Sequence, residues 1–99
     1  MTVSVVIPCY NPKPYLLEAI ASVRAQTWGG TEVIVVDDGT NEPESLAIVE
    51  AAGLQADRFI RQPNRGLPAA RNAGFHAACG SYVVPLDADD LLRPEFVAV

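Results

Sequence analysis

Lysine is almost missing from this chain: Lys13 is the only one, and the formal net charge is -5. That balance suits a nucleic-acid backbone poorly, so nucleic-acid binding is excluded as the main task. Cysteine is scarce as well. Cys9 and Cys79 lie far apart in the sequence, in neither a disulfide framework nor a metal spacing, and read as two reduced, packed thiols. There is no apolar run of about 18 residues and no basic leader with a small-residue cleavage site. These residues therefore hold no membrane segment, and the expected location is cytoplasmic, with membrane association left open for a longer protein. No Gly-x-Gly-x-x-Gly follows the first apolar run and no Gly-Lys-Ser/Thr loop occurs, which disfavours dinucleotide and P-loop modes. Internal repeats, linkers and low-complexity segments are absent too.

What is present is a packed α/β pattern in one domain, residues 1–99, with 49% hydrophobic and 19% charged residues. Thr2 to Ile7 is rich in β-branched residues and reads as a strand inside a sheet, ending at Pro8. Tyr15 to Gln26 has helical spacing, with Trp28, Gly29 and Gly30 ending it. Glu32 to Val36 is a second strand, with Asp37 to Thr40 as its turn. Pro43 to Ala52 is a helix entered from Thr40 or Asn41 and stopped by Gly53. Arg58 to Arg61 is a short third strand, and Leu67 to Cys79 is an Ala-rich helix closed by Gly80. A fourth strand begins at Tyr82. Strands alternating with helices imply right-handed crossovers and a mostly parallel sheet with helices on both faces.

The fourth strand runs straight into Asp87, Asp89 and Asp90. Carboxylates so crowded repel one another unless a cation compensates, and a divalent metal holding a diphosphate is the expected partner. The plainer alternative is a solvated loop with an Asp capping the next helix. Position favours the metal, because ligands of open α/β sheets bind outside the carboxyl ends of strands. Pro8 to Asn11 and Asp37 to Thr40 leave the first two strands at that same end. An aromatic ring, carboxylates and a guanidinium gathered there suit a nucleotide. Tyr10 reads equally well as a rim aromatic, Asp37 and Asp38 as a capping turn, and Arg71 as a solvated helix residue. His76 reads as structural or exposed.

Four segments in order carry a family resemblance: Val3 to Asn11, Val33 to Thr40, Asn64 to Gly74, and Leu86 to Asp90. Together they resemble the family 2 glycosyltransferases of the GT-A fold. The resemblance implies a nucleotide-diphospho-sugar donor, a UDP-sugar being the first expectation, and a divalent cation, Mg or Mn. Carried over, Pro8 and Tyr10 border the base, Asp38 accepts the base N–H, and Arg71 lies near the base or the phosphates. Asp87 is expected at the ribose, and Asp89 and Asp90 share the metal. Gly66 and Gly74 match family glycines that allow positive φ or close approach.

The resemblance also implies an acidic catalytic base and an acceptor pocket, for a carbohydrate or a lipid-linked acceptor, beyond residue 99. The chain reads as the donor-binding front of a longer protein, expected to be inactive alone and prone to pair through an open sheet edge as a homodimer. A receiver-type phosphoacceptor domain would need an acidic pair after its first strand, where Pro8, Cys9 and Tyr10 stand instead. A non-catalytic interaction domain is the other alternative.

Overall fold

Val3–Cys9 and Thr31–Asp37 are mostly apolar, and the buried β-branched residues they carry can only be satisfied by cover on both sides. The computed structural model, which describes residues 3–25, 30–80 and 82–86, provides that cover. In chain order the elements are β1 Val3–Cys9, α1 Tyr15–Arg24, β2 Thr31–Asp37, α2 Pro43–Gln55, β3 Arg58–Arg61, α3 Leu67–Ala77 and β4 Tyr82–Pro85. The described strands form one parallel sheet in the order β3-β2-β1-β4. Side chains of one parity, among them Val5, Ile7, Val33 and Val35, pack with Leu16, Ile20, Val23 and Val49 of α1 and α2. The other parity, Val6, Ile34 and Val36, packs on Ala70 of α3. The expected parallel sheet with helices on both faces is therefore what the chain forms.

α1 buries Leu16, Ala19, Ile20 and Val23, an i, i+3, i+4, i+7 stripe. α3 has small residues on its sheet side, and Gly74 comes closest: a Cβ there would stand 2.2 Å from Val6 Cγ1. That contact explains the second matched glycine. The first, Gly66, has φ +95, a conformation L side chains rarely adopt.

Several sequence boundaries shift, each for a physical reason. β1 does not end at Pro8 but continues to Cys9. The Leu86 N–H bonds the Val6 carbonyl and the Asp38 N–H bonds the Cys9 carbonyl, so even residues of β1 face β4 and odd ones face β2. Pro8 therefore turns its missing donor toward β4, beyond the described pairing of Val3 to Val6 with Tyr82 to Pro85. By the same parity Pro85 turns away from β1. Gly53 does not stop α2, which runs to Gln55; it lies inside the helix, where its bare Cα admits the Phe59 ring. α2 is entered from Glu42, with Pro43 in its first turn, rather than from Thr40 or Asn41. α3 ends at Ala77, short of Cys79, because the Cys79 and Gly80 N–H groups are taken by Glu32 Oε1 (3.2 Å) and Ser4 Oγ (2.9 Å). α1 is described to Arg24, and the expected helix end at Gln26, Trp28 and Gly29 lies outside the described residues.

Cys79 is exposed, not packed as expected. Its Sγ sits 3.0 Å from Arg58 Nη2 within a polar cluster that also includes Glu32 and Ser4, at the amino end of the sheet. Burial pushes the Glu32 carboxyl up, but hydrogen bonds from Ser4, the Cys79 N–H and Arg58 outweigh it and leave the group below its ordinary range.

Candidate functional site

Strand connectivity creates the site. β1, β2 and β3 are laid down in one direction and β4 returns to the far side of β1, so the order reverses between β1 and β4. In a parallel sheet a crevice opens at the carboxyl ends beside such a reversal. The Cys9–Asp37 and Asp37–Arg61 register pairs bring the loops after β1, β2 and β3 together at that end.

Side chains then bind these loops into one unit. Asp37, the last residue of β2, accepts from the Thr40 N–H at 3.2 Å and from the Thr40 hydroxyl on Oδ1, and from Arg61 Nε at 3.3 Å on Oδ2. The same hydroxyl oxygen accepts the Asn11 N–H at 3.1 Å. Asn11, at φ 46, places its Oδ1 3.0 and 3.1 Å from the N–H groups of Asn41 and Glu42, which lead into α2. It therefore serves the helix start that no local side chain caps. The plainer reading of Asp37, a residue that forms a turn, is the one its geometry fits.

Asp38 is the centre of the site. It is 1% exposed, and its carboxylate accepts four hydrogen bonds: Gln62 Nε2 at 2.8 Å and the Arg65 N–H at 2.9 Å on Oδ1, Asn64 Nδ2 at 3.3 Å and the Gly66 N–H at 2.9 Å on Oδ2. Burial pushes its pKa up, but the bonds from Gln62, Arg65 and Gly66, with the Arg65 charge, reverse the shift and keep it below the ordinary carboxylate value. Asp38 is thus a buried, ionised acceptor at the mouth of the sheet. Cys9 behaves in the opposite way. Burial, reinforced by the Asp37 charge, pushes its thiol up to about 12, so it is no nucleophile at neutral pH.

Of the residues singled out from sequence, Pro8, Tyr10 and Asp38 come together at the ends of β1 and β2. Pro8 is buried within the strand and Tyr10 is 41% exposed just beyond it. Arg71 is half-buried on α3, one turn past the loop that Asp38 holds, and His76 is exposed on the same helix. Asp87, Asp89 and Asp90 lie outside the described residues. β4, which leads to them, runs parallel to β1. Among the described residues no group of three or more His, Cys, Asp or Glu side chains could hold a metal. Sequence reasoning missed Asn11, Thr40, Gln62 and Asn64 as the residues that join the loops. Their only signal is amide and hydroxyl side chains concentrated where strands end.

The four-stranded parallel sheet with helices on both faces matches glycosyltransferase structures of the GT-A fold. It superposes on S. aureus TarS solved with UDP-GlcNAc at a TM-score of 0.84, with 31% identity, covering 99% of this chain and 29% of that one. On the mannosyltransferase PcManGT from Pyrobaculum calidifontis, solved with GDP-Man and Mn2+, the TM-score is 0.73 with 29% identity, covering 90% of this chain and 28% of that one. The chain belongs to glycosyl transferase family 2, whose profile it matches over residues 4–99. Among its relatives, an uncharacterized glycosyltransferase of Nostoc sp. is 43% identical over 95% of this chain and 30% of its own length. Glycosyltransferase GlyA of Streptococcus pneumoniae is 33% identical over 96% of this chain and 14% of its own. The chain thus spans less than a third of the length of either relative.

Proposed function

We propose that this chain is the donor-binding part of a hexosyltransferase that takes a nucleotide-diphospho-sugar, with UDP as the nucleotide, in the presence of Mg or Mn. The observation that carries the reading is the buried, ionised Asp38 beside exposed Tyr10 at the carboxyl ends of adjacent strands. Pro8 and Tyr10 border the base, Asp38 accepts its ring N–H, and Arg71 lies toward the base or phosphates. Asp87 meets the ribose. Asp89 and Asp90 are hard oxygen donors, the ligand type that Mg and Mn prefer, and they would hold the cation. A cation held there would supply positive charge to offset the negative charge of the diphosphate.

The catalytic base and the acceptor pocket, for a carbohydrate or lipid-linked hydroxyl, belong to a part of the protein beyond residue 99. The donor part alone therefore transfers nothing. A cytoplasmic location, where nucleotide-sugars are made, belongs to the same proposal; among the described residues no helix is long and apolar enough to cross a membrane. Titration with UDP, with and without Mn or Mg, tests the reading. Binding that requires the cation and is lost in Asp89→Ala supports it, and equal affinity with and without cation contradicts it.

A further inference from the structure

The Asp38 carboxylate has no vacancy. Two carboxylate oxygens offer about four lone-pair positions, and Gln62, Asn64, Arg65 and Gly66 donate to Asp38 from four directions. A nucleobase N–H can reach a 1% exposed carboxylate so occupied only if one donor leaves. Three of the four cannot leave cheaply. Arg65 and Gly66 donate through the main chain, and Asn64 Nδ2 is also held at 3.0 Å by the Asp38 carbonyl. The backbone of Asn64 is itself packed onto Gly39, where a Cβ would stand 2.7 Å from Asn64 N. Moving the Arg65 or Gly66 donor means moving the loop, and withdrawing Asn64 Nδ2 also breaks its bond to the Asp38 carbonyl.

Gln62 differs. Its main-chain N–H is anchored separately, to the Asp37 carbonyl at 3.0 Å, and only its half-buried side chain reaches Asp38. Side-chain rotation would withdraw that donor and leave β3 and the loop in place. We infer that the Gln62 amide is the exchangeable donor on Asp38, displaced by the ring amide N–H of the incoming base; this rests on the donor reading above. The exchange is like for like, a neutral amide N–H for another, so Asp38 stays ionised throughout. Uracil N3 and guanine N1 carry such a hydrogen, whereas cytosine N3 and adenine N1 are acceptors. A base of the second kind cannot replace Gln62 and would turn a lone pair toward the carboxylate. Gln62 is therefore a competitor for the base site, and the selection is made by Asp38: Gln62 holds Asp38 until a base with the right hydrogen arrives, and its displacement lowers the affinity of that base.

The test compares UDP and CDP, each with Mn2+, on the wild-type protein, on Gln62→Leu, which has no donor, and on Gln62→Asn, whose amide is one methylene short. Without the competitor, UDP binds about two- to tenfold more tightly in both variants, the range of one hydrogen bond, and CDP binding does not change. Equal tightening of UDP and CDP, no change in either, or weaker UDP binding overturns the exchange. The failures are distinguishable. Equal UDP affinity in all three proteins removes the exchange alone, and absence of UDP binding in all three removes the donor reading and the exchange together.

Discussion

Replacing Gly74 by alanine will destabilise the domain, although alanine is the better helix former. The added Cβ would stand 2.2 Å from Val6 Cγ1, 3.1 Å from Cγ2 and 3.2 Å from Cβ, so no rotation of the valine clears it. Val6 is fully buried on β1, flanked by β2 and β4, and cannot retreat. The strain falls on α3, which must lift from the sheet. Overpacking of this kind costs about 1–3 kcal/mol, and the gain in helix propensity returns about 1 kcal/mol. With so short a contact the upper half of that range applies, leaving a net loss of about 1–2 kcal/mol. Val6→Ala removes both offending methyls. In that background Gly74→Ala should be neutral or slightly stabilising, a coupling of about 2 kcal/mol between the two sites. Urea unfolding of the four proteins, compared at equal m-value, measures the cycle. If Gly74→Ala is as stable as wild type, or costs the same in both backgrounds, the close-approach argument is wrong. The outcome bears on function because α3 continues the loop that Asp38 holds.

Three further outcomes are expected. Asp38, Glu32 and Asp57, the last raised by burial but lowered further by its bonds from the Val33 N–H at 2.7 Å and Arg24 Nη1 at 3.1 Å, all have folded pKa values below their ordinary 3.8, 4.5 and 3.8, so their contribution is complete above those values and is lost as pH falls through the folded ones; urea midpoints should be flat from pH 7 to about 5 and fall below about 4.5, less steeply in Asp38→Asn. A thiol reagent should modify exposed Cys79 quickly in the native protein and reach Cys9, buried with its pKa near 12, only on unfolding, so two fast thiols would contradict the burial. Asn11→Ala should lower stability by about 1 kcal/mol through loss of the bonds to the Asn41 and Glu42 N–H groups, and an unchanged urea midpoint would show that water replaces them.

The alternation of apolar runs with helical spacing was sufficient to read the parallel sheet, its helices on both faces and the short β3, because burial of whole strands leaves a continuous hydrophobic record. Boundaries were read less well where tertiary contacts override local signals. Gly53 looks like a stop but accommodates a ring, Pro8 looks like an end but faces β4 beyond the described pairing, and α3 stops early because Glu32 and Ser4 capture its exit. Asp38 was legible as an acidic residue at the carboxyl end of β2. Its four donors were not, since Gln62, Asn64, Arg65 and Gly66 come from a loop whose proximity depends on the β2–β3 register. No local spacing encodes that pairing.

The central claim is that nucleotide binds at the carboxyl ends of β1 and β2, against Asp38. Amide chemical shifts recorded during a UDP titration in Mg2+ test it most directly. The account predicts changes concentrated at Tyr10, Asn11, Asp38 to Thr40, Arg65, Gly66 and Arg71, with Glu32, Cys79 and Gly80 at the opposite end of the sheet unaffected. Changes confined to that opposite end, or none at saturating UDP, would contradict it.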